Sequence, residues 1–437
     1  MKNIAIIGGG FTGLVAAKNL TDCGHRVTIY ESGKELGGLA ACFELGGTPL
    51  EKAYHHLFRT DTAILSLIEE LGIQDHLVWR ASSLAIYRNG RIWPFMSPLD
   101  LLRFGACSLV GRIRTGLVAI YLKKTRNWQG LAGSSAMQWM SKYCGTSAAD
   151  AIWSPLLRGK FADTADNVSM AWLWARLHVR SNSREPGEGE KLGYINGGFV
   201  KIVDALEKRI LATGAVVQLD SPVKQVSHNG TQPTVEVDGQ VLSYDAVLFT
   251  GSNRALERIL PNGANLDGFR DDLGKINYLG SLCHVFTSSQ NLADHYWINI
   301  NEAGAPFLVL IQHTNLIPVS CYGGKHVYYI GAYLPQEKGR FLMPETELIQ
   351  EWHQYLKVIY PAFDPTLIEE SHLFRFRDAQ HVAEIGYESR ILPYHTPIPG
   401  VFLSNFSQIF PEDRGTNFAV NEGNKVGCVI GTYLQHA

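Results

Sequence analysis

The sequence has little charge, no paired-cysteine motif and no long apolar run. Asp, Glu, Lys and Arg make up 18% of the 437 residues, and the formal net charge is -2. Because charges so few and so balanced give no overall attraction for polyanions, no nucleic-acid partner is expected. The seven cysteines contain no CxxC pair, which favours a reduced, cytoplasmic location. No apolar run approaches the roughly 20 residues needed to cross a bilayer, so no membrane-spanning helix is predicted.

Several catalytic signatures are also missing. The sequence has no HExxH zinc motif, no nucleophile elbow and no kinase motif. What it does have is 46% hydrophobic residues, enough to bury sizeable cores. A chain of this length favours two domains, which can be interleaved along the sequence.

The first thirty residues read as a strand, a glycine-rich turn, a helix and a second strand. Residues 3–7 (NIAII) have the pattern of a short buried strand, and GGGFTG follows at residues 8–13. An Ala/Leu-rich helical run extends to Asp22, and RVTIYE at residues 26–31 has the pattern of a strand. A GxGxxG turn in this context predicts a dinucleotide-binding unit.

Each glycine of that turn has its own physical role. The first permits the tight turn, the second lets backbone N–H groups approach a diphosphate at the positive end of the helix, and the third allows close packing of helix on strand. An acid at the tip of the second strand accepts the hydroxyls of the adenosine ribose. The predicted cofactor contacts in this segment are Gly8, Gly10, Phe11, Thr12, Gly13 and Glu31.

A second glycine pair, Gly37 and Gly38, follows the acid within SGKELGGLAACFELGG. Here the sequence resembles the flavin-containing amine oxidase superfamily, which includes protoporphyrinogen oxidase and phytoene desaturase. The resemblance implies FAD as the cofactor, with Gly37, Gly38 and Leu39 beside it. Glu35 and Leu39 stand where family members usually carry arginine, so this segment leaves neutralisation of the diphosphate partly unexplained.

The resemblance extends to the far end, PIPGVFLSNFSQIFPEDRGTNFAVNEGNKVGCVIGTYL at residues 397–434. It implies a strand that runs into a helix whose first amides face the flavin ring, where a helix N-terminus stabilises negative charge. Ser404-Asn405 replaces the usual Gly-Asp. An ordinary capped surface helix would give a similar pattern. The implied cofactor contacts are Asn405, Arg414, Gly415, Thr416 and Asn417.

Between these ends, the resemblance implies that Val223 contacts adenine through its backbone and that Thr250 and Gly251 lie near the diphosphate. The FAD-binding domain is then assembled from residues 1–90, 191–265 and 386–437. Residues 91–190 are mostly helical in pattern, and residues 266–385 alternate as strands do. We therefore expect an α/β fold, with a Rossmann-like FAD-binding domain interleaved with a substrate domain of mixed β-sheet and helices.

Two adjacent histidines, His55 and His56, lie in PLEKAYHHLFRTD at residues 49–61. No further ligands stand at metal-binding spacing near them, so no metal is predicted. In the resembled family the chain passes along the flavin ring at this point. The pair is then either a catalytic acid, base or hydrogen-bond donor, His56 slightly preferred, or packing residues between Tyr54 and Phe58.

A second unusual stretch, residues 153–180, sets basic residues among tryptophans. Cations beside aromatic rings can clamp a phosphate or carboxylate, and the alternative is a solvated basic face. Arg158 is a catalytic candidate here, while Lys160 and Arg176 are candidates for substrate binding. Trp297 and His313, in the strand region, are further substrate-binding candidates, although sheet packing explains each of them singly.

Residues 94–131 mix apolar stretches with six basic residues. Such a segment can lie on an anionic membrane surface and admit a lipid-linked substrate. It can equally be a buried helix whose basic ends reach solvent. The basic residues are Arg103, Arg112, Arg114, Lys123, Lys124 and Arg126.

The leading functional hypothesis is an FAD-dependent oxidoreductase that transfers a hydride between flavin and a carbon of a bulky, partly apolar substrate. The apolar, basic and aromatic features suggest an isoprenoid, a lipid-linked sugar or a related glycan precursor. One alternative is a flavin-dependent sugar isomerase resembling UDP-galactopyranose mutase, in which a histidine-bearing loop similarly follows the glycines. Another is a flavoprotein that binds a partner or lipid without turnover.

Overall fold

A computed structural model describes residues 1–183 and 189–436 of the protein. The strands are β1 (Asn3–Ile7), β2 (Arg26–Tyr30), β3 (Cys42–Leu45), β4 (Thr48–Glu51), β5 (Leu77–Ala81), β6 (Leu84–Arg88), β7 (Arg91–Pro94), β8 (Lys191–Ile195), β9 (Val216–Gln218), β10 (Gln225–His228), β11 (Pro233–Val237), β12 (Gln240–Ser243), β13 (Ala246–Phe249), β14 (Tyr278–Ser288), β15 (Trp297–Ile300), β16 (Val309–Gln312), β17 (His326–Leu334), β18 (Ile368–His381) and β19 (Val401–Leu403).

The helices fall between these strands, seven of them consecutively between β7 and β8. They are α1 (Phe11–Asp22), α2 (Thr62–Glu70), α3 (Pro98–Arg103), α4 (Leu109–Lys124), α5 (Gln129–Ala132), α6 (Ala136–Cys144), α7 (Thr146–Ala148), α8 (Ser154–Phe161), α9 (Met170–Asn182), α10 (Val200–Ala212), α11 (Asn253–Ile259), α12 (Asp267–Gly274), α13 (Glu345–Ile359) and α14 (Thr416–His436).

A five-stranded parallel sheet organises the first half of the fold, in the order β19-β13-β1-β2-β9. Its central strand β1 is almost entirely buried, as a short apolar strand covered on both faces must be. The helices α1 and α14 pack against each other beside this sheet, while a three-stranded sheet, β10-β11-β12, forms separately. Strands distant in sequence therefore meet in one layer, as the α/β expectation requires.

A seven-stranded mixed sheet forms the second half, in the order β18-β14-β17-β16-β15-β6-β7. All its pairings are antiparallel except β15 with β6. Residues 94–183 are predominantly helical, as expected. One predicted boundary needs correction: β6 was assigned to the FAD-binding domain that ended at residue 90, but its hydrogen bonds place it in this second sheet.

Within residues 1–183 and 189–436, no helix combines the length and the apolar character that crossing a bilayer requires.

Candidate active site

The glycine turn at the end of β1 packs too closely for side chains. Gly8 has φ +112°, and a Cβ on it would lie 2.4 Å from Thr250 Oγ1. A Cβ on Gly13 would lie 2.1 Å from the carbonyl oxygen of Gly8, so helix α1 sits directly on the turn. Gly10 precedes α1 without a side-chain cap. The first amides of the helix are thus left for an anion.

Glu31 lies at the end of β2 beside this turn. Its carboxylate accepts the backbone N–H of Gly9 and that of Gly33, each at 2.7 Å. Oε1 also accepts Ser32 Oγ at 3.3 Å, so the acceptor position that remains is on Oε2, because each carboxylate oxygen offers about two. The chain at residues 220 and 221 hydrogen-bonds to Gly33 and Glu31, which brings Val223 to the same end of the sheet.

The second glycine pair closes over the first. Gly37 donates its N–H to the carbonyl oxygen of Gly9 at 2.9 Å, and a Cβ on Gly38 would lie 3.2 Å from Gly10 Cα. Glu35, where the family usually has arginine, forms an ion pair with Lys52 and stays half-exposed. This segment therefore places no arginine at the turn, as its sequence implied.

The last helix returns to the opening turn. Thr12 Oγ1 donates to the carbonyl oxygen of Ala419 at 3.2 Å, and a Cβ on Gly423 would lie 2.8 Å from the carbonyl oxygen of Thr12. Asn417 Oδ1 accepts the N–H groups of Ala63 and Ile64 at 2.9 and 3.2 Å, so it caps α2 from a distant part of the chain. The N-termini of α1 and α14 thereby belong to one continuous site.

Thr250, Gly251 and Asn405 lie between these helices. Thr250 Oγ1 hydrogen-bonds to the backbone of the β1 turn. Asn405 corrects the sequence prediction, because both hydrogens of its buried amide are already donated, to Gly251 O at 2.7 Å and Asn253 Oδ1 at 3.0 Å. It has no N–H left for a ribityl or phosphate oxygen. The neighbouring Ser404 Oγ is buried with no hydrogen-bond partner.

These observations test whether the described residues fit a dinucleotide. Uncapped amides at the start of α1, a glycine cradle that a Cβ would fill, and the unpartnered Ser404 hydroxyl all lie along the path from Glu31 to α14. In a bound dinucleotide, Phe11, Thr12 and Gly13 would hold the diphosphate, Glu31 the ribose, and the start of α14 the ring end. The described residues fit the group.

A cavity of about 250 Å³ opens where α14 begins. Leu39 and residues 414–418 form one side of it, and His55, His56 and Trp297 form another. Its wall is strongly aromatic, which favours contact with planar or apolar groups. The aromatic lining residues are Tyr54, Phe58, Tyr296, Trp297, Tyr333, Phe376 and Phe418.

The two histidines in this wall are uncharged near neutral pH. Burial lowers the pKa of His56 to about 3 and that of His55 to about 4. His55 Nδ1 lies 2.7 Å from the carbonyl oxygen of Ala53, so this nitrogen carries the hydrogen and Nε2 is left as an acceptor. His56 packs its ring edge-on against Phe58 and Trp297. A neutral pair can accept or donate hydrogen bonds but supplies no positive charge.

Asp413 binds both cations that were predicted to clamp the substrate, Lys160 and Arg176. Its carboxylate receives Lys160 Nζ at 2.8 Å and Arg176 Nη1 at 2.9 Å, and it also accepts Gln380 Nε2 at 3.0 Å. Burial alone would raise the pKa of Asp413, but the neighbouring cations hold it well below its usual range. Lys160 and Arg176 do line the cavity, but they share the single negative charge of Asp413, so only one of their two positive charges is compensated.

Tyr333 and Arg414 join this network. The hydroxyl of Tyr333 accepts Arg414 Nη2 at 3.0 Å, and the ring of Tyr333 lies 4.9 Å from Lys160 Nζ. Burial favours the neutral phenol, but the charges of Arg414 and Lys160 outweigh it and lower the pKa of Tyr333 on balance. Tyr54 hydrogen-bonds to Tyr333 from the cavity wall. Two phenols and a guanidinium thus form a connected polar edge.

Asp61 is a cavity residue that sequence reasoning missed. It lines the wall, accepts the N–H of Phe58 at 2.8 Å, and burial raises its pKa to about 6. Asp61 lies only six residues after His55 in the sequence, but no sequence pattern indicated that its carboxyl group would be buried. Tyr54 and Tyr333 were missed for the same reason, since their shared position depends on the second sheet.

Two further predictions are corrected by position. Arg158, the catalytic candidate, lies outside the aromatic cavity, where its half-exposed side chain pairs with Asp166 at 3.1 Å. His313 is buried behind the sheet and shares a 2.8 Å hydrogen bond with the hydroxyl of Tyr322. The residue Trp297 does reach the cavity, and its Nε1 donates to Asn299 Oδ1 at 2.9 Å. Within residues 1–183 and 189–436, no three His, Cys, Asp or Glu side chains gather as metal ligands.

Comparison with known proteins agrees with this geometry. The family model described as flavin containing amine oxidoreductase matches residues 11–405. The chain is 25% identical over 248 residues to "Putative flavin-containing monoamine oxidase AofH" of Mycobacterium tuberculosis, covering 54% of each chain. It is 24% identical over 289 residues to the 15-cis-phytoene desaturase of Glycine max, covering 60% of this chain and 49% of that one. The chain thus spans about half the length of these relatives.

Among solved structures, a reduced UDP-galactopyranose mutase superposes with a TM-score of 0.75 at 16% identity, covering 100% of this chain and 94% of the other. At this identity the similarity concerns the fold alone. Together the matches confirm the predicted family, the α/β fold class and the FAD cofactor.

Proposed function

The chain belongs to the family of flavin-containing amine oxidoreductases, and on that premise we propose that it transfers a hydride between FAD and a carbon of a bulky, partly apolar substrate. The observation that carries the proposal is the aromatic cavity at the start of α14, whose two histidines are neutral and whose cations are mostly paired. Such a wall binds apolar surface and excludes water from the reacting carbon.

The aromatic wall and the internal ion pairs of the cavity favour a partly apolar substrate over a nucleotide sugar. Lys160 and Arg176 share Asp413, and Arg180 makes two 2.6 Å hydrogen bonds to the buried carboxylate of Glu190. A diphosphate binds best to cations that are not already neutralised. Because three of the cavity cations are engaged in internal ion pairs, they are weaker partners for the nucleoside diphosphate that the sugar-isomerase alternative requires. An isoprenoid or another lipid-like substrate agrees better with the wall.

The residues of the chain supply proton transfer and orientation. When bound, FAD supplies the acceptor or donor of the two electrons. Asp61, with its pKa near 6, is placed to take the proton that accompanies loss of a hydride from the substrate, or to return it in the opposite direction. The polar edge of Tyr333 and Arg414 is placed to orient an oxygen or nitrogen atom of the substrate.

Anaerobic mixing of the flavin-loaded protein with candidate substrates tests the proposal. We expect the flavin absorbance to bleach with an isoprenoid hydrocarbon or lipid amine, or to recover when a reduced sample meets an unsaturated acceptor. Interconversion of UDP-galactopyranose by the reduced protein without net oxidation would favour the isomerase instead. The absence of any spectral or chemical change across all these compounds would favour the non-catalytic alternative.

A further inference from the structure

The outer face of α4 is apolar although it is exposed. We define this face by Val110, Ile113, Leu117 and Ile120, which recur at helical spacing and are 49–65% exposed. The opposite side of the same helix is buried through Gly111, Thr115, Val118 and Leu122. One side of α4 therefore packs on the protein, and the other presents a second apolar stripe with no described residue covering it.

Neighbouring segments enlarge this face. Nine of the eighteen large apolar side chains that are exposed within the described chain lie between Leu99 and Tyr143. Arg112 donates to the carbonyl oxygens of Leu102 and Cys107, which fixes α3 beside the start of α4. Isolated exposed apolar residues are normal, but a concentration of this kind marks an interaction surface.

Aromatic residues border the outer face of α4. Tyr121 stacks on Trp139 with ring centroids 6.3 Å apart, and Trp139 lies 4.4 Å from Tyr143. Lys142 extends over the ring of Tyr143 at 5.3 Å. Tyr and Trp rings with a cation beside them are typical of the level where lipid headgroups meet acyl chains.

The charge of this region is predominantly positive. Residues 98–149, counted from the start of α3, contain seven Lys or Arg and one acid, Asp100, whereas the whole chain carries a net charge of -2. The carboxylate of Asp100 accepts the backbone N–H groups of Met96 and Ser97. Lys123, Lys124 and Arg126 follow the apolar stripe directly and are exposed. Such a combination complements a surface that is apolar inside and negatively charged outside.

We infer that the outer face of α4, with α3 and the aromatic border, docks on an anionic lipid bilayer and lies in its interface without crossing it. A second copy of the chain would carry the same seven cations, so two such faces would repel each other. The anionic headgroups of a bilayer meet both the apolar and the basic parts of the face at once.

The docking face connects to the aromatic cavity through a single helix. Trp174 Nε1 of α9 donates to the carbonyl oxygens of Leu122 and Thr125 at the end of α4, at 3.1 Å each. The next turns of α9 line the cavity with Ala175, Arg176, Val179 and Arg180. On the proposed function, a lipid-like substrate that leaves the bilayer at α4 would reach the aromatic cavity along the length of α9.

Co-sedimentation of the full, flavin-loaded chain with vesicles tests this inference. We expect binding to vesicles that contain phosphatidylglycerol, little binding to pure phosphatidylcholine, and weaker binding as salt is raised. The variant I113S/L117S/I120S should lose binding, while V241S/V358S, which changes equally exposed apolar residues elsewhere, should keep it. The variant K123Q/K124Q/R126Q should weaken binding on the order of a hundredfold, at about fivefold per cation, and K208Q/R258Q/K357Q should change it little.

Flavin content and thermal midpoint report whether each variant is folded, and the exposed positions make misfolding a minor concern. Equal sedimentation of I113S/L117S/I120S and wild type would overturn the inference, as would equal binding to neutral vesicles. Self-association in the absence of lipid that I113S/L117S/I120S abolishes, without any vesicle binding, would assign the face to contacts between copies instead. None of these measurements requires turnover, so they stand or fall separately from the proposed function.

Discussion

The cofactor side and the substrate side of the site handle polar groups in opposite ways. Around Gly8 and Gly13 the chain removes side chains and leaves backbone amides without partners. Around Asp413 it crowds side chains together until Lys160, Arg176 and Gln380 all share one carboxylate. A site for a fixed diphosphate can be built from backbone alone, whereas a site for a varied substrate depends on which side chains happen to meet.

The largest effect is expected from adding one methyl group to the closely packed glycine turn of the cofactor side. Gly13→Ala places a Cβ 2.1 Å from Gly8 O and 3.3 Å from Ile6 Cγ2, with rigid backbone on one side. We expect a loss of about 3 kcal/mol or more in the free energy of unfolding, and a purified protein with little bound flavin. Absorbance per chain and denaturant unfolding measure both effects.

The matched control is Gly116→Ala in the middle of α4. There a Cβ meets only a side-chain carbon of Leu101 at 3.7 Å, so no clash arises. Alanine is the better helix former by about 0.5–1 kcal/mol, and the variant should gain stability with unchanged flavin content. Similar losses in both variants would show that the close approach at Gly13 is unimportant.

On the substrate side, Lys160→Met removes one cation from the buried Asp413 cluster. Arg176 and Gln380 remain, so we expect a loss of about 2–3 kcal/mol rather than the full cost of an unpaired buried charge. Because the folded pKa of Asp413 lies below its ordinary value of 3.8, the stability from this cluster is fully present above that pH. The difference between variant and wild type should therefore shrink as the pH falls below 3.8, as unfolding curves at several pH values would reveal.

Asp61→Asn tests the one cavity carboxyl whose pKa is raised. Ionising Asp61 costs folded-state stability, and that cost grows from pH 3.8 until it is complete above about pH 6. Asparagine keeps the acceptor for the Phe58 N–H, so the variant should be more stable than wild type by about 1–2 kcal/mol at pH 7.5 and indistinguishable near pH 4. If Asp61 moves the proton, the same variant loses the limb near pH 6 in the pH–rate profile.

The smallest expected change in stability comes from His56→Gln, because an amide can replace a neutral imidazole in a half-buried wall. We expect a change within about 1 kcal/mol and a pH–rate profile of unchanged shape between pH 5 and 8, since the pKa of His56 is about 3. A limb near pH 6.5 that disappears in this variant would show that the imidazole titrates during turnover and contradict its neutral state.

The fold of the cofactor side could be predicted from the sequence because it depends on short-range patterns. The spacing of Gly8, Gly10 and Gly13 between a buried strand and a helix fixes a turn and a helix N-terminus within a dozen residues. Even there, the role of Asn405 was misjudged, since only the fold shows its amide hydrogens spent on Gly251 and Asn253.

The side-chain contacts of the substrate side could not be predicted from short stretches of sequence. Lys160, Arg176 and Asp413 are separated by up to 253 positions along the chain, and their ion pairs form only when α8, α9 and the start of α14 pack together. His313 and Arg158 are residue types suited to a functional site, but packing places them elsewhere. His313 lies in a core, and Arg158 lies on the surface. The sequence shows the chemical type of each side chain, but it does not show which side chains become its neighbours in the fold.

The contact of Gly423 with the backbone of Thr12 joins the two ends of the cofactor site mechanically. If α1 holds the phosphate end of the cofactor and α14 the ring end, neither helix can shift without disturbing both ends. A bulky residue introduced at this contact should therefore alter the reduction potential of the flavin and its dissociation constant together.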